Sequence, residues 1–338
     1  MSNPAKPMLT NAAMRLQLRA VRLEAECICS FELSDPSGGE LPPFEAGAHI
    51  DVYLPNGLVR SYSLAGDPQI RDRYVLGVLR EPRSTGGSAA LHEQVRVGDM
   101  LSLGQVRNAF SLHSPRAEVK PHTILLAGGI GITPLKAMAH TLAARGESFE
   151  LHYCAKSAKH TAFLDELQKI VPADRLHWHF DGGNASQGVD LTKLLASPQT
   201  QAAQTHVYYC GPAGFMKACA AATAHWPSGT VHCEHFKAPD SADGPAGAAR
   251  KEGEFEVHLK RTGITVQVAA DQSIVRAIEL AGHRVPTSCL SGLCGACKVS
   301  YLEGEVDHRD YILSDGEKTQ YMTLCVSRAK SPSLTIDF

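Results

Sequence analysis

No run in this sequence approaches the roughly 20 apolar residues that a membrane-spanning helix needs. The opening MSNPAKPMLTNAAMRLQLRA lacks the apolar core of a signal peptide. A cytoplasmic protein with no membrane association is therefore expected. Strong charge of either sign is also missing: Lys and Arg total 33 against 35 Asp and Glu, a formal net charge of -2. That balance gives no general attraction to nucleic acid, and no basic stripe or DNA-binding helix pair stands out. There is no internal repeat. Charged residues make up 20% and hydrophobic residues 43%, which argues for ordinary folded cores over disorder. At 338 residues the chain is long enough for two or three of them.

The coarse pattern changes twice along the chain. Up to about residue 115, short apolar segments alternate with turn residues: HIDVYLPNG (49–57), RSYSLAGDP (60–68), RYVLGVLRE (73–81) and VRVGDMLSLG (95–104). Strands of this length and spacing predict an antiparallel β-barrel. From about residue 116 to 237, strands alternate with helical segments. HTILLAGG (122–129), FELHYCAK (149–156), LHWHFDGG (176–183) and THVYYCGP (205–212) read as strands. PLKAMAHTLAARG (134–146), AFLDELQKI (162–170) and VDLTKLLAS (189–197) read as helices. This alternation predicts an α/β domain with a parallel sheet. Residues 238–252, APDSADGPAGAARKE, are small and polar and read as a linker. In 253–338, EFEVHLKRTGITVQV (254–268) predicts a hairpin turning at Thr262-Gly263. DQSIVRAIELAG (271–282) predicts a helix capped by Asp271 or Ser273.

Ten cysteines in a reducing compartment read as buried thiols, metal ligands or redox groups. Six are scattered. The other four form Cys289-x4-Cys294-x2-Cys297 with Cys325 much later, the plant-type 2Fe-2S spacing. Three thiolates have to converge from one tight loop. Gly292 and Gly295 let the backbone bend there and turn N–H groups toward sulfur, and Ser288 and Ser291 are further candidate donors. A zinc site usually pairs C-x2-C with a second pair or with histidines, and here that second pair is missing.

Residues 255–338, through VPTSCLSGLCGACKV (285–299) and HRDYILSDGE followed by MTLCVSRA (308–329), resemble a plant-type ferredoxin domain of α+β, β-grasp type. The second stretch resembles the C-terminal domain of the phthalate dioxygenase reductase family, which includes the vanillate demethylase reductases. Two further segments agree. Arg60-Ser61-Tyr62-Ser63-Leu64 is similar to the R-x-Y-S-L flavin strand of ferredoxin reductase-like proteins. Tyr62 offers a flat ring, Arg60 a fork for phosphate, and Ser63 a hydrogen bond to the flavin edge. Thr85-Gly86-Gly87-Ser88 resembles the family's phosphate loop at a helix N-terminus.

Gly128-Gly129-Ile130-Gly131-Ile132-Thr133-Pro134 ends a strand and opens a helix. It departs from the Rossmann G-x-G-x-x-G, because Pro134 takes the sixth position, and resembles the G-G-x-G-x-T-P nucleotide loop of the ferredoxin reductase-like domain. Tyr209-Cys210-Gly211-Pro212 resembles the family's C-G-P motif. The resemblance implies that Cys210 and Thr133 lie beside the nicotinamide. It also matches Glu234 and Phe236 to a terminal E-x-F whose phenyl ring covers the flavin. Lys156 leaves room for NADPH, and Asp181 reads as a ribose contact or a turn residue.

The resemblance implies a three-cofactor chain in which NADH delivers two electrons, a flavin accepts them, and a 2Fe-2S cluster takes them singly. FMN is implied over FAD by the C-terminal position of the ferredoxin domain. The implied acceptor is the oxygenase component of a two-component Rieske-type aromatic dioxygenase or demethylase. Its transient contact is expected near Ser291 and Leu293 on the cluster loop. A diiron hydroxylase is the alternative acceptor, and a redox sensor is a reading from another class. A monomer needs no further assumption.

Overall fold

A computed structural model describes residues 12–82, 84–113, 121–196, 205–227, 229–238 and 253–338. Almost all of the expected linker therefore lies outside the described residues. Six antiparallel strands make the first sheet: β1 (Met14–Ala25), β2 (Ile28–Ser34), β3 (His49–Tyr53), β4 (Val59–Ser63), β5 (Tyr74–Leu79) and β6 (Met100–Leu103), with helix α1 (Gly87–Gln94) between β5 and β6. Their order is β4-β3-β6-β1-β2-β5. A bridge from Leu64 to Leu76 brings the two edges together, so the sheet closes as a barrel. Alternate residues point inward: Leu16 and Leu18 of β1, Ile28 of β2 and Leu76 of β5 are buried. Each such side chain contributes about 1.5–3 kcal/mol.

The second sheet is wholly parallel, in the order β11-β10-β7-β8-β9. Its strands are β7 (His122–Gly128), β8 (Phe149–Ala155), β9 (Leu176–Phe180), β10 (Thr205–Cys210) and β11 (Val231–Glu234). Helices α2 (Ile132–Ala144), α3 (Leu164–Ile170), α4 (Leu191–Leu195) and α5 (Ala213–Ala222) connect them. Because both faces are covered, β7 is apolar along almost its whole length. The barrel and the α2 side of this sheet share one continuous apolar core. Lys136 of α2 pins them further. It is 1% exposed, donates to the Ala65 carbonyl at 2.7 Å and pairs with Glu166 at 2.6 Å.

The C-terminal unit has its own core. A five-stranded mixed sheet runs β13-β12-β18-β14-β16, beside a small β15-β17 pair. The strands are β12 (Phe255–Leu259), β13 (Ile264–Val268), β14 (Lys298–Glu303), β15 (Val306–Asp307), β16 (Tyr321–Thr323), β17 (Arg328–Ala329) and β18 (Ser333–Ile336). Helix α6 (Ile274–Leu280) crosses it. The hairpin turns where Gly263 takes φ 70°, and Ser273, not Asp271, caps α6 by accepting from the Arg276 N–H. No described helix is long and apolar enough to cross a membrane.

Candidate functional site

The four candidate cluster cysteines converge. Cys289 lies within hydrogen-bonding contact of Cys294 and Cys325, and Cys297 within contact of Cys325. Left-handed backbone at Leu290 (φ 54°), Gly292 (φ 72°) and Gly295 (φ 68°) folds the loop around them. A side chain at Gly292 would strike Val326 at 2.8 Å and the Asp310 backbone at 3.0 Å. The turned backbone aims the N–H groups of Ser291 and Leu293 at the Cys289 sulfur, at 3.4 and 3.3 Å. Contact with the Cys294 and Cys325 thiols holds Cys289 low, while those two partners, which keep the protons, are raised. Four thiols at one point shed all their protons only when positive charge sits among them. The donor set therefore fits the irons of a 2Fe-2S cluster.

The flavin motifs also meet. The Arg60 stem runs over Gly87, where an added Cβ would lie 2.7 Å from Arg60 Cγ. Arg60 donates to the Thr85 hydroxyl at 3.1 Å. A fork, a hydroxyl and the start of α1 thus converge in a cradle that suits phosphate. Gly86, with φ 99°, makes the turn into α1. Ser88 braces this loop: its hydroxyl accepts from the Glu81 N–H at 3.2 Å and sits 3.1 Å from Ser84 Oγ. Tyr62 is largely buried, and burial pushes its phenol up to about 12. Leu64 is fully buried, and Ser63 faces Glu234 at 3.3 Å.

The nucleotide motifs meet just as closely. β7 and β10 are neighbours, so the glycine loop and the C-G-P turn emerge side by side. An added Cβ on Gly131 would sit 2.1 Å from the Cys210 carbonyl oxygen, and one on Gly128 would sit 2.9 Å from Pro212. One on Gly211 would sit 3.0 Å from Gly128 Cα. Gly129 turns the chain with φ 53°. Thr133 is buried and donates to the Ile130 carbonyl, and Pro134 lies in the first turn of α2. Cys210 is fully buried, and burial holds its thiol protonated. Phe236, at 41% exposed, lies outside the core. Asp181 makes a turn, accepting from the Gly183 N–H at 2.7 Å.

Between barrel and cluster loop lies a polar network that sequence reasoning missed. Asp51 accepts from Arg107 at 2.8 Å, Ser61 at 2.7 Å and Ser288 at 2.6 Å. Ser288 therefore faces the barrel, not the cluster sulfurs. Burial alone would raise Asp51, but these three donors outweigh it and hold the carboxyl low. Arg107 Nε and His49 Nε2 both reach the Cys294 carbonyl, at 3.3 and 3.2 Å. Burial, reinforced by Arg107, lowers His49 to about 4, so its ring is neutral and Nε2 carries the proton toward that carbonyl. Its Nδ1 is buried without a hydrogen bond, 3.9 Å from Glu234. Burial raises the Glu234 carboxyl to about 8. This orphaned atom beside the candidate flavin strand is a polar group to which a flavin edge would offer a partner. The only advance signal was polar His49 and Asp51 in an otherwise apolar strand.

Comparison with known proteins fits this geometry. The oxidoreductase NAD-binding domain family matches residues 125–221, and the 2Fe-2S iron-sulfur cluster binding domain family matches residues 257–330. The chain is 45% identical over 332 residues to the tert-butanol monooxygenase / tert-amyl alcohol desaturase reductase subunit of Aquincola tertiaricarbonis, covering 96% of each chain. It is 43% identical to the vanillate O-demethylase oxidoreductase of Pseudomonas sp. (strain HR199 / DSM 7063), covering 95% of this chain and 98% of that one. A solved structure of phthalate dioxygenase reductase matches with 41% identity and a TM-score of 0.66, over 96% of this chain and 98% of that one. The chain belongs to the phthalate dioxygenase reductase and vanillate O-demethylase oxidoreductase family of NAD-dependent iron–sulfur flavin oxidoreductases.

Proposed function

We propose that this protein is the reductase component of a two-component Rieske-type oxygenase, dioxygenase or demethylase, taking electrons from NADH through FMN and its 2Fe-2S cluster to the oxygenase. The observation that carries the reading is the network that seats the cluster loop on the barrel, beside the flavin strand. It fixes Cys294 through its carbonyl and Ser288 through its hydroxyl. Flavin, when bound, accepts an electron pair and releases single electrons, which joins NADH to a one-electron cluster.

Each protein part then has a task. Arg60, Thr85, Gly86 and Gly87 would hold the flavin phosphate, and Tyr62, Ser63 and Leu64 would hold the ring system; FMN follows from the C-terminal position of the ferredoxin domain. Gly128, Gly129 and Gly131 would admit the NADH pyrophosphate, and Gly211 and Pro212 would shape the facing turn. Thr133 and Cys210 would border the nicotinamide, and Glu234 and Phe236 the flavin. Cys210 stays a neutral thiol and supplies bulk and polarity without nucleophilic attack. Cys289, Cys294, Cys297 and Cys325 would ligate the irons. In this reading residues 1–115, 116–237 and 253–338 are the flavin, nucleotide and ferredoxin domains. The exposed tip of the cluster loop, where Leu290 is 58% exposed, would meet the oxygenase in a transient contact.

The test is Cys325→Ser. NADH-dependent reduction of ferricyanide, which the flavin serves directly, is expected to persist. Electron delivery to a purified Rieske oxygenase is expected to fall by on the order of a hundredfold or more, as for loss of an essential redox relay. Delivery at the wild-type rate would remove the cluster from the path, and release of FAD by acid would correct the flavin.

A further inference from the structure

A second set of ligand-type side chains stands apart from the redox centres. On β8, alternation puts Glu150 and His152 on one face. The parallel register sets His177 of β9 beside His152, and His179 beside Cys154. One ligand atom from each of Glu150, His152 and His177 falls within 4.8 Å of the other two. His152 Nε2 lies 3.4 Å from one Glu150 oxygen, and His177 Nε2 lies 3.8 Å from the other.

Those separations have a physical meaning. Ligands around a tetrahedral zinc ion, at about 2.0–2.2 Å from the metal, stand roughly 3.3 Å apart. His152 is 4% exposed, and its Nε2 is buried with no hydrogen-bond partner. Its other nitrogen lies 3.0 Å from His179 Nε2. When that Nδ1 donates to His179, His152 Nε2 points a bare lone pair at a carboxylate. In that tautomer two acceptors face each other, an arrangement that a cation between them relieves. The His179 contact then does what outer contacts do for ligating histidines, fixing tautomer and ring direction.

The three imidazole rings also pack face to face. The His152 and His177 rings stack at 4.5 Å, and His179 stacks on His152 at 5.3 Å.

We propose that Glu150, His152 and His177 bind one divalent ion of the zinc class, with a fourth position open to water, and that this ion clasps β9 to β8. The mixed nitrogen and oxygen donors suit zinc over magnesium or calcium. β9 is the edge of the sheet, where a clasp adds most. The site opens to solvent on the side of Glu150 and His177, whose side chains are 25% and 38% exposed. It is removed from the nucleotide loop: Glu150 pairs with Ile124, four residues before Gly128, or about 13 Å along the strand.

The test uses protein carrying both flavin and cluster, dialysed against buffered micromolar zinc, with bound zinc and iron then measured by plasma mass spectrometry. One zinc per chain beyond the cluster iron is expected, with a rise in the unfolding temperature. Both should vanish in His177→Gln and in Glu150→Gln and survive in Cys154→Ser. Unchanged flavin and cluster absorbance and unchanged NADH–ferricyanide activity in His177→Gln would show that the variant is folded. Zinc retained by folded His177→Gln would place the ion on other side chains and overturn the proposal. So would the absence of stoichiometric zinc in the wild type, which would leave an adventitious ion only.

Discussion

Arg107 has two tasks, and each can be measured. Its guanidinium is paired with Asp51 and also lies on the Cys294 carbonyl. It therefore holds the loop that carries three of the four candidate cluster ligands, and it places positive charge beside Cys294 and Cys289. Replacing it with Met removes a charge-assisted contact of about 1.5–3 kcal/mol and leaves Asp51, with a side chain 6% exposed, short of a partner. Flavin reduction by NADH in a stopped-flow instrument should be unchanged. The following flavin-to-cluster phase should slow by roughly tenfold or more, since 1.4 kcal/mol is tenfold in the docked population. The cluster potential should fall as well, because a nearby cation favours the more negative, reduced state. A normal second phase would mean that the loop is held by other contacts.

At the scale of elements, the candidate nucleotide site depends on how near two strand ends can come. The glycine loop after β7 and the turn after β10 touch backbone to backbone at Gly131 and Cys210. Gly131→Ala puts a methyl 2.1 Å from a carbonyl oxygen, so one of the two turns has to move. The expected result is a rise in the KM for NADH of at least about tenfold, following the 1.4 kcal/mol rule, while the bound flavin spectrum stays intact. Ordinary NADH kinetics in this variant would show that the loop yields without cost.

These motifs were legible in the sequence because glycines mark close approach and cysteine spacing marks a shared centre. Strands β7 to β10 and helices α2 to α4 of the nucleotide unit were legible too, whereas α5 and β11 were not among the predicted elements. β1 and β2 were not among the predicted strands. β1, MRLQLRAVRLEA, is made of residues that favour helix, and only barrel packing commits it to strand. The network of His49, Asp51, Arg107 and Ser288 was invisible for another reason. Its members are single polar residues spread over 240 positions of chain, and only the docking of two units brings them together.

For the whole molecule, the contrast lies between apolar and polar joins. Barrel and nucleotide sheet share a continuous core, whereas the ferredoxin unit keeps its own core and meets the barrel through hydrogen bonds and ions. Glu234 stands where all three units approach. It ends β11, accepts from Ser63 of the barrel, and lies beside His49, which reaches Cys294. Its folded carboxyl keeps a proton to about 8, while an unfolded one loses it near 4.3. Between these values the folded state binds more protons than the unfolded state, so stability declines as pH rises through that window and levels off above it. Buried imidazoles act in the opposite sense: His49, His206 and His232 are held to about 4. Unfolded imidazoles take protons near 6.5, so the histidines remove stability as pH falls from there toward 4. Comparing Glu234→Gln with wild type cancels the histidines. In flavin-free protein with its cluster in place, the wild type should lose stability relative to Glu234→Gln as pH rises from about 6.5 to 8, followed by urea midpoints. A difference that stays flat across this range would mean that Glu234 is already ionised when folded, and that the junction holds a charge where the geometry places a neutral acid.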